Sequence, residues 1–244
     1  MIDRIDISYK ASSIRKLLNE DEYSYIDVLG LINNIKDLTV VYYPFSENIS
    51  GMCIKKENAN TIAINSNTTI GRQRFSAAHE LYHLYYDDNN ISVSSDIQIE
   101  NNDIEQKANC FASYFLLPYN TLKNELENKQ IDINTIIELE NKYGMSHQAM
   151  LYRLKLDDFI DNKLEKKLQI RNIKNKAIEL GYSGKIYEKL SIEKQKQTFG
   201  NYIKQVNELY KKDKISHGKY NELLLKAFRE DMVYKQINDE ETNV

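Results

Sequence analysis

The sequence predicts an α+β fold, mainly helical, with one small three-stranded sheet followed by a helical C-terminal extension. Three observations carry this. Only 8 Gly and 2 Pro occur in 244 residues, too few turn residues for an all-β sandwich or barrel. Apolar residues recur at helical spacing along most of the chain. Between Thr39 and Ile64 that period gives way to short β-branched and aromatic runs.

Taken in order, residues 8–19 and 23–37 read as two short helices, with Ile14, Leu17 and Leu18, then Ile26, Leu29, Ile32 and Ile35, at near-helical spacing. TVVYYPF (39–45), Met52–Ile54 and Thr61–Ile64, the last two separated by the turn-prone ENAN, read as three strands. From Gly71 to about Tyr86 the helical pattern returns. Asp87 to Asn102, rich in Asp, Asn and Ser, reads as a surface excursion. A helix capped by Asp103 then carries Ile104, Ala108, Phe111, Ala112, Phe115 and Leu116 on one stripe until Pro118 stops it. Further helices are expected at 119–128, 132–143 and 146–159, the last capped by Ser146 after Gly144. Beyond residue 160 the chain reads as entirely helical. Phe199, Tyr202, Ile203, Val206, Leu209 and Tyr210 form one stripe and Tyr220, Leu223, Leu224, Ala227 and Phe228 another, as in a helical hairpin. Two units follow, 1–160 and the extension 161–244.

Composition narrows the function classes. The opening MIDRIDISYK lacks the apolar stretch of a signal peptide and no run of about 18 apolar residues occurs, so a cytoplasmic protein is expected. Cys53 and Cys110 are expected as buried free thiols, not a disulfide framework. A net charge of -3 argues against general nucleic-acid affinity. Residues 161–220 nonetheless hold fifteen Lys/Arg against seven Asp/Glu; solvated helix faces account for such runs more often than a nucleic-acid surface does. Met145-Ser146 before a helix has the look of half a helix-turn-helix, a unit that more commonly serves as a plain bundle piece.

The chemistry concentrates in His79-Glu80-Leu81-Tyr82-His83. Two imidazoles four residues apart project from one helix face and can reach a single ion at about 2.0–2.1 Å. Glu80, about 100° around the helix, can address a water instead of crowding the ion. Its role would be general base and then proton donor to the leaving amine. A catalytic zinc needs a third protein ligand and an open position. Glu105 offers one, with Asn109 four residues later on the same face to hydrogen-bond a ligating imidazole. Spacing alone leaves Glu100 and Asp103 as rival carboxylates, and a first-turn Glu is favoured by the helix dipole without any metal.

The segments RQRFSAAHELYHL (72–84) and EQKANCFASYFLLP (105–118) resemble the two motifs of the ImmA/IrrE metallopeptidases, over about residues 40–160. The resemblance implies a zincin-like core of the gluzincin kind, with His79, His83 and Glu105 as metal ligands, Glu80 as catalytic base and Asn109 hydrogen-bonded to a ligand. It implies one Zn2+ per chain, although cobalt, manganese or iron suit the same donors. It further implies cleavage of a protein substrate, a transcriptional repressor of a phage or mobile element, with relief of repression. An alternative of another class keeps the metal scaffold without turnover, as a regulatory or antitoxin-like binding protein. Where the family commonly has Gly this chain has Tyr82, which either fills space beside the neighbouring helix or narrows the cleft. In metallopeptidases of this architecture a peptide typically pairs with a sheet edge, and Thr61, Ile62, Ala63, Ile64 and Asn65 are the candidate strand, unless that strand simply closes the sheet. Tyr82, Tyr85, Tyr86, Tyr119 and His147 are all oxyanion candidates by type.

Overall fold

The computed structural model describes residues 2–95 and 102–234. Its elements run α1 (Arg4–Leu17), α2 (Val28–Ile32), β1 (Leu38–Tyr43), β2 (Ile49–Ile54), β3 (Asn60–Asn65), α3 (Ile70–Tyr86), β4 (Ile91–Ser95) and α4 (Asp103–Leu116). Then follow α5 (Tyr119–Leu126), α6 (Ile133–Tyr143), α7 (His147–Leu156), α8 (Asn162–Leu168), α9 (Ile173–Glu179), β5 (Gln197–Gly200), α10 (Asn201–Lys211) and α11 (His217–Lys226). The α+β, mainly helical architecture matches expectation. No described helix is long and apolar enough to cross a membrane.

The sheet has five strands where three are expected, in the order β4-β2-β3-β1-β5. β1 and β3 are parallel, and every other pair is antiparallel. β4 comes from the segment read as a surface excursion, and β5 from the region read as entirely helical; Phe199, assigned to a helical stripe, is in that strand. β3 is hydrogen-bonded on both sides, to β1 and β2. Thr61–Asn65 therefore has no free edge to offer a peptide, because its backbone donors and acceptors are already spent within the sheet. The cleft-side edge is β4.

Buried Leu38, Val40 and Tyr42 of β1 and Ile62 and Ile64 of β3 contribute to one core with Ala77, Ala78 and Leu81 of α3 and Phe111 and Phe115 of α4. Helix α3 lies against β2 and β3, and α4 packs along it with α1 behind. A second small core unites α10 and α11 through Ile203, Val206, Tyr220 and Leu224, the expected hairpin.

Local differences have local causes. The helix expected over 23–37 shortens to five residues because Arg15, buried, donates to the carbonyls of Asp21 and Ser24 at 2.9 and 3.0 Å, holding the chain before it in a non-helical path. The same guanidinium donates to Phe115 O at 2.7 Å and Leu116 O at 3.3 Å, satisfying carbonyls at the end of α4. The cap of α4 is Asn102, accepting from Ile104 N, and Asp103 is the first helical residue. Gly144 ends α6 at φ 65°, and Ser146 caps α7 as expected. A side chain at Gly144 would also meet Arg74 Nε at 2.5 Å. Arg74 instead donates to Gly144 O at 2.9 Å and Ile26 O, fastening α3 to its neighbours.

Candidate metal centre

Helix α3 is anchored at both ends before it presents any chemistry. Thr69 caps it, accepting from Arg72 N. The first helical N–H, that of Ile70, donates to Glu188 O at 2.7 Å, so the C-terminal segment satisfies one of the donors every helix start leaves open. Gln73, buried, donates to Ser66 O and Thr68 O at 3.3 and 2.8 Å.

One turn apart on this helix, His79 and His83 bring their Nε2 atoms to 3.1 Å. Glu105, from the first turn of α4, places Oε2 3.1 Å from His79 Nε2 and Oε1 3.3 Å from His83 Nε2. The three residues are buried and offer donor atoms within 4.8 Å of one another. Their outer nitrogens are held from behind. His79 Nδ1 lies 2.8 Å from Asn109 Oδ1, and His83 Nδ1 lies 2.8 Å from Asp87 Oδ2. A carboxylate and an amide oxygen only accept, so each Nδ1 carries its hydrogen and each Nε2 presents a lone pair.

Two ring nitrogens and a carboxylate thus converge on one point, an arrangement that a cation relieves and that, without one, takes up a proton shared between an imidazole and Glu105. The 3.1–3.3 Å separations match the edge of about 3.3 Å that a tetrahedron with bonds of about 2.0–2.1 Å would have. The residues fit a divalent ion bound by two nitrogens and a carboxylate.

The electrostatics are those of tightly paired buried groups. Burial pushes the Glu105 carboxyl up, but hydrogen bonds and charge from His79 and His83 outweigh it and hold it at about 2. Burial lowers His83, yet Glu105, Glu80 and Asp87 together leave it above its ordinary value. Asp87 ends below its ordinary value: against the effect of burial, the Asn89 N–H and His83 hold it ionised.

Glu80 is fully buried, and burial raises its pKa more than the neighbouring imidazoles lower it. Neither carboxyl oxygen has a partner at hydrogen-bond distance and angle, although the Ser94 hydroxyl is near enough to oppose the effect of burial. The group packs over Gly51 of β2, where a Cβ would lie 2.5 Å from Glu80 Oε1. Only glycine leaves this room.

A cleft of about 400 Å³ opens onto the cluster, lined by His79 and Glu105, by Arg72, Phe75 and Asn109, by Ser50 and Ser95, and by Gln148, Ala149 and Tyr152 of α7. Tyr82 is not among these residues. Its ring packs against Phe111 and Tyr86, each at 5.7 Å between centroids, so it fills space beside α4 and leaves the cleft open. Tyr85, Tyr86, Tyr119 and His147 are likewise absent from the lining; Tyr86 donates to Lys10 O, and His147 is held by Glu140 and Leu168 O. Tyr152 is the tyrosine that faces the cleft, and burial keeps its phenol protonated well above the ordinary range.

Sequence reasoning brings together His79, Glu80, His83, Glu105 and Asn109, and the fold does the same. Of the rival carboxylates, Asp103 points to Lys107 at the surface, and Glu100 lies outside the described residues. Asp87, Gly51, Ser94 and Tyr152 went unseen. Asp87 had a readable signal, for it follows His83 at the same four-residue spacing that links the two histidines.

The family model for a peptidase domain described as IrrE N-terminal-like matches residues 35–155. No curated protein matches the chain.

Proposed function

Because the chain belongs, through residues 35–155, to the ImmA/IrrE family of metallopeptidases, we propose that it is a zinc-dependent endopeptidase. His79, His83 and Glu105 are its ligands and Glu80 its general base. The observation that carries the reading is the pairing of a lone-pair cluster that calls for a cation with a buried, unpartnered carboxyl at its flank. An ion held there supplies Lewis acidity toward a scissile carbonyl and brings the pKa of water toward about 7.

Glu80 accepts the proton of the attacking water at a carboxylate oxygen and delivers it to the leaving nitrogen. Burial raises its pKa above that of an exposed carboxylate, which makes it a stronger base toward the water. Asn109 and Asp87 keep the imidazoles in the tautomer that presents Nε2. Tyr152, protonated and in the cleft wall, is the donor we assign to the developing oxyanion. The substrate backbone adds to the outer edge of β4, which no strand occupies among the described residues.

The substrate we propose is a transcriptional repressor, on the strength of the family resemblance, with cleavage relieving repression. The test is incubation of the metal-loaded protein with the repressor encoded beside it, reading the fragments by mass spectrometry. Glu80→Gln should retain the metal and lose about 10²–10⁴-fold in rate. Intact repressor left by the metal-loaded wild type would favour the non-hydrolytic regulator instead, and equal cleavage by wild type and Glu80→Gln would remove Glu80 as the base.

A further inference from the structure

The side of the cluster that faces the sheet carries a hydroxyl group, that of Ser94. Ser94 of β4 is buried, and its Oγ lies 3.0 Å from His79 Nε2. The strand is positioned there by its register, Ser94 opposite Gly51, and by Ser50 Oγ donating to Ser94 O at 3.1 Å. Gly51 is also the residue over which the Glu80 carboxyl packs. One hydroxyl therefore stands beside both a ligand nitrogen and the base.

Without an ion, the Ser94 hydroxyl donates to His79 Nε2, whose hydrogen is on Nδ1. Once that lone pair is given to an ion, the hydroxyl hydrogen needs another acceptor. Both Glu80 oxygens lack a partner, and Ser94 is near enough to oppose the effect of burial on that carboxyl. The hydroxyl oxygen keeps its lone pairs, at a separation from Nε2 close to the 3.1–3.3 Å between the ligand atoms themselves.

We propose that Ser94 is a fourth, displaceable donor to the ion, closing the site at rest in the position that water requires, with its O–H directed to Glu80. The inference rests on His79, His83 and Glu105 being ligands. No proton leaves the serine and no covalent bond changes. A neutral hydroxyl is a weak donor, and β4 is a five-residue strand that among the described residues is paired on one side only. A peptide adding to its outer edge can draw Ser94 away, so that docking of the substrate backbone opens the ion to water.

The test uses the full chain loaded with cobalt(II), whose visible spectrum reports its ligands, titrated with azide as a small competitor for the open position. If the closed form holds about nine molecules in ten, Ser94→Ala should tighten azide binding about tenfold. As a second variant, Ser94→Cys should show a strong near-ultraviolet sulfur-to-cobalt charge-transfer band, and Ser92→Cys none. Equal azide affinity in wild type and Ser94→Ala, or no band in Ser94→Cys, overturns the role of Ser94 while cobalt binding leaves the ligand assignment standing. Failure of the wild type to bind cobalt removes both.

Discussion

Gly51→Ala probes the catalytic base without touching a metal ligand. The added Cβ would meet Glu80 Oε1 at 2.5 Å and Cδ and Cγ at 3.0 Å. Ordinary contact begins at 3.4 Å, so something must yield by about 1 Å. Strand β2 is hydrogen-bonded to β3 on one side and β4 on the other, so its backbone is held. Glu80 is the group that moves. Overpacking of this kind costs about 1–3 kcal/mol, and a misplacement of about 1 Å in a reacting group costs about 10²-fold in rate. His79 and His83 share α3 with Glu80 and Glu105 lies on α4, but the added Cβ meets only the Glu80 side chain, so the three ligands keep their arrangement. The expected result is metal stoichiometry equal to wild type, a modest fall in the urea midpoint and about 10²-fold slower cleavage of a peptide substrate. Wild-type turnover in a folded, metal-loaded Gly51→Ala protein would refute the placement of Glu80 as base.

Asp87→Ala should weaken metal affinity about 10–100-fold by freeing the His83 ring, measured by competition with a chromogenic chelator; unchanged affinity would remove Asp87 from the site. Tyr82→Ala should cost about 3 kcal/mol of stability in chemical denaturation and leave metal binding intact, because the ring packs against Phe111 and Tyr86 and not in the cleft. For the metal-free protein, the folded Glu105 pKa of about 2 lies below its ordinary 4.5. Its contribution to stability is thus complete above about 4.5 and lost as pH falls toward about 2. The urea midpoint should drop across that window in wild type and less steeply in Glu105→Gln.

The helices and the bipartite motif were legible because their signals are local. Four-residue spacing places His79 and His83 on one face, and the pair Gly144 and Ser146 marks one helix end and the next start whatever the rest of the chain does. β4 was not legible for a physical reason. Its alternation is inverted: Ile91 and Val93 are 63% and 41% exposed, whereas Ser94 is buried. The inner face of this strand meets a polar centre, so small hydroxyl side chains belong where a hydrophobic pattern would demand aliphatic ones. Glu80 and Gly51 illustrate the same limit. Their closeness depends on how a helix crosses a strand, which no spacing in the chain encodes. β5 was missed because four residues at the head of a helical hairpin carry too little periodicity to register, and what makes QTFG a strand is the unpaired side of β1.

That last pairing has a consequence for how the protein is made. Tyr42 partners Gln197 and Val40 partners Phe199, so one margin of the sheet is completed by residues synthesised long after β1, β2 and β3 have left the ribosome. At roughly 5–20 residues per second the wait from β3 to β5 is about 7–26 seconds. Throughout it β1 carries a free row of backbone donors and acceptors. The helix bearing the histidines waits as well, since the N–H of Ile70 has no partner until Glu188 arrives. Nascent chains are therefore exposed to mispairing along β1 until residues 197–200 have been made, and the helix that carries the histidines gains its last anchor only with Glu188.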